Sequence, residues 1–195
     1  MSRISILFTV LSAAALLSSC GNRASTASLP PLKTSPKVST DRYLGKWYEV
    51  AHFPQWFQKG CVSATADYSQ NKDGTIGVLN TCFRADGSQR SINGVAEPVD
   101  ASNNRLRVRF PGNMFARLAP VPAEGNYWII DVTPDYRYAI VGTPDRQFLW
   151  FLSRSPTIPQ TRFDRMKSIA AEQGYDLGKL VVDQHTRITT DRAGR

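Results

Sequence analysis

Imidazoles and thiols are the side chains that most often hold metals or attack electrophiles near neutral pH. This chain of 195 residues has two histidines, His52 and His185, and three cysteines, Cys20, Cys61 and Cys82. No two histidines are close in sequence, no cysteine adjoins a histidine, and no Gly-x-Ser-x-Gly run occurs. Asp131 falls in the run Tyr127–Val132, where strict alternation points it inward with Tyr127 and Ile129. Burial would raise its pKa, and we read it as a buried hydrogen-bonding carboxylate and His52 as a structural residue. The expectation is therefore no catalytic residue, no metal and no cofactor. Lys+Arg 24 against Asp+Glu 16 gives a net charge of +8, which favours an anionic environment or ligand. The basic residues are spread out, with no run of four, so no nucleic-acid footprint is expected.

The third cysteine has a different context. Residues 1–19 read as a signal peptide: Arg3, an apolar stretch from Ile4 to Leu17, then Ser18 and Ser19 directly before Cys20. Leu17-Ser18-Ser19-Cys20 resembles the bacterial lipobox, which implies an acylated (palmitate-bearing) Cys20 as the first mature residue. Gly21, not Asp, follows it, which implies the periplasmic face of the outer membrane. Residues 20–40 are rich in Ser, Thr and Pro with few apolar side chains, and are expected to be a flexible tether reaching roughly 25 Å.

The elements that must position any site begin near Asp41. From Gly45 the chain is cut into eight β-rich runs: 46–53, 62–69, 76–83, 91–99, 106–110, 127–132, 136–141 and 148–152. Turn signals separate them, among them Asn71-Lys72-Asp73-Gly74, Asp86-Gly87, Thr133-Pro134-Asp135 and Thr143-Pro144-Asp145. Such a meander predicts an all-β fold, a barrel or a sandwich. One segment has helical period: Phe163, Met166, Ile169 and Ala170 between Thr161 and Gln173, with Pro159 before it and Gly174 after it. A short ninth strand is expected within 179–182. With 42% hydrophobic and 21% charged residues, the chain is neither disordered nor an integral membrane bundle.

With Cys20 acylated, Cys61 and Cys82 remain as an even pair in an oxidising compartment, flanking one hairpin. Strict alternation from Tyr68 and Val78 puts them on opposite faces. A bridge between them would need a bulge or irregular chain near Gly60.

Gly45-Lys46-Trp47-Tyr48-Glu49 resembles the opening Gly-x-Trp motif of the lipocalins. Thr133-Pro134-Asp135-Tyr136 is similar to the family's second motif with a proline interposed, and Leu149-Trp150-Phe151-Leu152-Ser153-Arg154 to its third. The likeness spans residues 41–185, leaving 186–195 as a tail, and is greatest to the bacterial outer-membrane lipoproteins and apolipoprotein D-like members. It implies an eight-stranded antiparallel up-and-down β-barrel with one C-terminal α-helix packed outside. It also implies that Gly45, Trp47, Asp135, Tyr136 and Arg154 are structural, with Arg154 lying across Trp47 at the closed end.

Aligning strands to the family implies an inward face that includes Ala64, Ala66, Tyr68, Val78 and Asn80. Later strands would add Val108, Phe110, Tyr127, Ile129, Ala139, Val141, Phe148, Trp150 and Leu152. Ala66, Tyr68, Val78, Asn80, Val108, Phe110, Tyr127, Ile129, Val141, Phe148 and Trp150 are the expected ligand contacts. This set suits an acyl chain, and Arg107, Arg109, Arg117, Lys59 and Arg90 are expected at a basic rim. The expected function is binding, storage or transport of fatty acids or lysophospholipids, with outer-membrane lipid as the other partner through Cys20. The resemblance also admits a homodimer. Two other classes remain open: a lipocalin-fold enzyme acting on a lipophilic substrate, and an envelope adaptor with a filled barrel.

Overall fold

A computed structural model describes residues 29–111 and 120–189. Cys20 and Arg117 lie outside these residues. The alternating runs form β1 (Gly45–His52), β2 (Cys61–Gln70), β3 (Ile76–Arg84), β4 (Gln89–Pro98), β5 (Arg105–Arg109), β6 (Tyr127–Val132), β7 (Tyr138–Gly142) and β8 (Leu149–Ser153). Each pairs antiparallel with the next, and β1 also pairs with β8, which closes an eight-stranded barrel. Closure leaves no long free edge.

Turn chemistry sets the corners. At the β2–β3 hairpin Asp73 accepts from the Thr75 amide at 3.0 Å, and Gly74 takes φ 84°. One turn is used twice, at opposite ends of the barrel. In Thr133-Pro134-Asp135-Tyr136 the Thr133 hydroxyl donates to Asp135 at 2.6 Å, and Tyr136 sits at φ 56°. In Thr143-Pro144-Asp145-Arg146 the Thr143 hydroxyl donates to Asp145 at 2.5 Å, and Arg146 sits at φ 57°.

Three bulges break the alternation. The register shifts between Glu49 and Ala51 in β1, between Cys61 and Ser63 in β2, and between Ile129 and Asp131 in β6. In β2 the extra residue puts Cys61 opposite Arg84, on the face that carries Cys82. The two cysteines, 5.4 Å apart at Cα, are bridged.

Apolar side chains form two cores. Inside the barrel Trp47, Tyr68, Val78, Val108, Ile129, Ala139, Val141 and Leu152 pack together. Outside, α2 (Gln160–Glu172; α1 is described below) lays Phe163, Met166 and Ala170 on Val50, Ala51, Ile140 and Phe151. Gly174 at φ 85° ends that helix. A 3-10 turn at Leu177–Lys179 leads to β10 (Val181–Val182), which pairs with β1. β9 (Thr157–Pro159) and β11 (Arg187–Thr189) form a separate parallel pair. Ordered pairing thus continues past residue 185.

The packed chain also begins before residue 41. Leu32 joins the outer core and Val38 the inner one, while the Ser35 amide donates to the Ile129 carbonyl at 3.0 Å. α1 (Thr40–Tyr43) then crosses the closed end. Residues 29–40, expected as tether, are part of the fold because two of their few apolar side chains are buried.

Candidate functional site

The floor is built first. Gly45 opens β1 at φ 88°, and Trp47 is fully buried, its indole N–H donating to the Tyr43 carbonyl at 2.8 Å. The Arg154 guanidinium lies 3.8 Å from the Trp47 ring centroid and donates to the Lys46 and Arg42 carbonyls, both at 2.8 Å. That arrangement combines cation–π contact with strand-end capping. The Tyr136 hydroxyl accepts from the Ser39 amide at 2.8 Å, and Arg42 stacks over its ring at 4.2 Å. These five motif residues hold the closed end and do not line the space above it.

Above the floor the inward face carries Ala66, Tyr68, Val78, Val108, Phe110, Tyr127, Ile129, Val141 and Trp150 in one cluster. Asn80 sits opposite Ala66 on the same face. Phe148 stacks between Phe57 and Trp150, at 6.1 and 5.9 Å between ring centroids. Ala66, Asn80, Phe110, Tyr127, Phe148 and Trp150 stay partly exposed although they face inward. Among the described residues the inward face is therefore packed at the closed end and partly exposed above it.

The bottom of this space carries three phenols. The Tyr127 hydroxyl is 2.8 Å from that of Tyr43 and 2.8 Å from that of Tyr68. Burial pushes all three up, Tyr68 to about 12, so they remain protonated at neutral pH.

A polar network crosses the wall near the mouth, and of its members only His52 is singled out by the sequence, as a structural residue. The β1 bulge brings Glu49 and His52 to the same inner face. His52 Nδ1 lies 2.9 Å from Glu49 and 2.8 Å from Asp183. Gln58, from the 3-10 turn Trp56–Gln58, donates to both Glu49 oxygens at 3.0 and 3.1 Å, and Asp183 accepts from the Ala64 amide at 2.9 Å. Burial alone would depress His52, but its hydrogen bonds to Asp183 and Glu49 outweigh it and push the imidazole up to about 10. Burial raises Asp183 against the pull of that imidazolium. The three ligand atoms lie within 4.8 Å of one another, close enough for a cation. The imidazole proton already bridges both carboxylates, which is the part an ion would play.

The C-terminal chain seals the seam where β1 and β2 part. The Asp183 amide and the Thr186 hydroxyl donate to the Val50 carbonyl, and the Gln184 amide to that of Val62. The carbonyls of both bulged residues are thus satisfied.

Two expectations are corrected. Asp131 does not face inward: the β6 bulge sets it opposite Ile140 on the outer face, where burial raises its pKa while Arg162 and Arg165 of α2 lower it. Arg107 and Arg109 do not rim the mouth but flank Glu97 on the outer wall, at 3.9 and 3.1 Å. Arg90 does reach the mouth, donating to the Phe57 carbonyl at 3.2 Å, and Lys59 is exposed beside it.

The family described as lipocalin-like domain matches residues 38–185. Temperature-induced lipocalin-1 of Arabidopsis thaliana is 38% identical over 73% of this chain and 77% of its own. The outer membrane lipoprotein Blc of Escherichia coli is 37% identical over 72% and 75%. Apolipoprotein D of Mus musculus is 32% identical over 84% and 81%. Among solved structures, insecticyanin from the tobacco hornworm Manduca sexta superposes with a TM-score of 0.57 at 15% identity, covering 83% of this chain and 90% of that one.

Proposed function

This chain belongs to the lipocalin family, and from that premise we propose that it holds a fatty acid or lysophospholipid in its barrel, anchored to the outer membrane through acylated Cys20. Membership of the family implies a hydrophobic ligand. The finer reading rests on one observation: an apolar inward face whose members above the phenol floor, Ala66, Phe110 and Trp150, are still partly exposed. A chain of about twelve methylenes moved into that space gains several kcal/mol. The expected contacts are Ala66, Tyr68, Val78, Asn80, Val108, Phe110, Tyr127, Ile129, Val141, Phe148 and Trp150. The Leu17-Ser18-Ser19-Cys20 sequence and the likeness to outer membrane lipoproteins support the anchor and the location. Among the described residues no helix is long and apolar enough to cross a membrane.

We read the protein as a carrier and not an enzyme. The inward-facing imidazole of His52 is held by two carboxylates, and among the described residues no hydroxyl or thiol is bonded to it. Mass spectrometry of what co-purifies with residues 29–195, prepared without detergent, tests the proposal. That stretch contains all the packing described above. Stoichiometric fatty acid or lysophospholipid is the expected result. An empty barrel that also ignores added lysolipid would sink it and favour the adaptor role.

A further inference from the structure

We propose that the hydroxyl cluster of Tyr43, Tyr68 and Tyr127 recognises an oxygen atom on the buried end of the ligand, so that the preferred ligand is a chain bearing a hydroxyl or keto group there. This deepens the cavity reading above and rests on it.

The argument is a count of hydrogens. Three phenols bring three O–H donors, and the cluster contains two contacts, Tyr43 to Tyr127 and Tyr68 to Tyr127. Each contact uses one hydrogen, so one donor is left in every arrangement. Among the described residues no other group accepts from these hydroxyls. Tyr43 and Tyr68 are buried, at 5% and 6% exposure, whereas Tyr127 is partly exposed on the inward face. Tyr127 can accept from both neighbours and turn its own hydrogen toward the open space. Asn80, one inward position nearer the mouth than Val78, adds an amide without a hydrogen-bond partner among the described residues.

A plain methyl terminus pressed against this floor would strip water from the spare donor and give nothing back, which is the costly half of the hydrogen-bond balance. A neutral oxygen replaces that water. A carboxylate suits the floor less well, because a single remaining donor does not compensate a buried full charge. The hydroxyls stay protonated at neutral pH, so the floor presents a donor throughout the physiological range.

The test titrates dodecanoic and hexadecanoic acids and their ω-hydroxy derivatives into the full chain by calorimetry. At least one hydroxylated acid should bind roughly five- to tenfold tighter than its parent. In the triple variant Tyr43→Phe, Tyr68→Phe, Tyr127→Phe the ratio of derivative to parent affinity should fall below about twofold, whatever the parents' own affinity becomes. Removing all three hydroxyls together leaves no orphaned partner, and Tyr127→Phe alone serves as the second variant should the triple one fail to fold. Parents that bind as tightly as their derivatives at both lengths would overturn the inference and leave fatty-acid carriage standing. A gain that persists without the hydroxyls would overturn it too. No binding of any chain would remove the carriage reading, and this inference with it.

Discussion

Glu49 and His52, three residues apart on β1, lie on the same face of that strand with carboxylate and imidazole 2.9 Å apart. The Val50 bulge alone permits this, because regular alternation would put them on opposite sides of the barrel wall. Asp183 approaches the same nitrogen from the C-terminal segment. The imidazolium thus ties the first strand to the chain that seals the seam between β1 and β2.

His52 is the group whose titration should show in stability. Its pKa rises on folding from 6.5 to about 10, so its contribution is fully present below pH 6.5 and is lost as pH climbs through about 10. His52→Gln should lower unfolding free energy by roughly 1–3 kcal/mol at pH 6. Urea unfolding of both proteins should show the gap closing towards pH 10. A gap that stays constant would mean the imidazole is neutral in the fold.

Trp47→Ala should cost about 3–5 kcal/mol, because it removes a fully buried indole and leaves the Arg154 guanidinium without its ring. Ligand affinity of the folded fraction should not change, since Trp47 lies below the cavity. A loss of affinity with stability retained would move Trp47 from floor to lining.

Much of the barrel is legible in the sequence. The runs of alternating residues, the Thr-Pro-Asp turns and the Phe163–Ala170 stripe form strands, corners and α2 with boundaries shifted by at most two residues, and β7 starts at Tyr138 because Tyr136 is held in the turn. What escaped notice has a common physical origin. Bulges insert a residue without any composition signature, so strict alternation points Asp131 inward and separates Glu49 from His52. Only at Cys61 did the chain betray its bulge, through the parity conflict with Cys82. The burial of Leu32 and Val38 is hidden for another reason: isolated apolar residues in a Ser/Pro-rich stretch carry no period.

Asp131→Asn should leave affinity for hexadecanoic acid within about twofold, because the carboxylate faces α2 and not the cavity. A larger change in the same titration would return Asp131 to the interior and reopen the enzyme reading.

Trp150 makes the opposite case. It faces inward opposite Val141 and stacks on Phe148 at 5.9 Å. Trp150→Ala should weaken acyl-chain binding by roughly tenfold or more, given the apolar area withdrawn, with the thermal midpoint little changed. Unchanged affinity would displace the chain from this wall.

Loss of the Cys61–Cys82 bridge, which spans 21 residues, should lower stability by about 3 kcal/mol. Unfolding with and without reductant would measure it. The partly exposed cysteines lie toward the mouth, so reduction should proceed without global unfolding. Protection of the bridge up to the unfolding transition would contradict that.

The sealed seam has a consequence for the order in which the molecule assembles. β1 is among the first elements made, yet one of its edges waits for β8, and the carbonyls of Glu49 and Val50 wait for residues 183–186. A nascent chain therefore carries a first strand with one open edge until nearly all of the protein has been synthesised, and its fastest local units are the β2–β3–β4 hairpins in the middle. Chains ending before residue 149 would retain two open edges and should stick to one another, whereas the finished barrel has neither edge to offer.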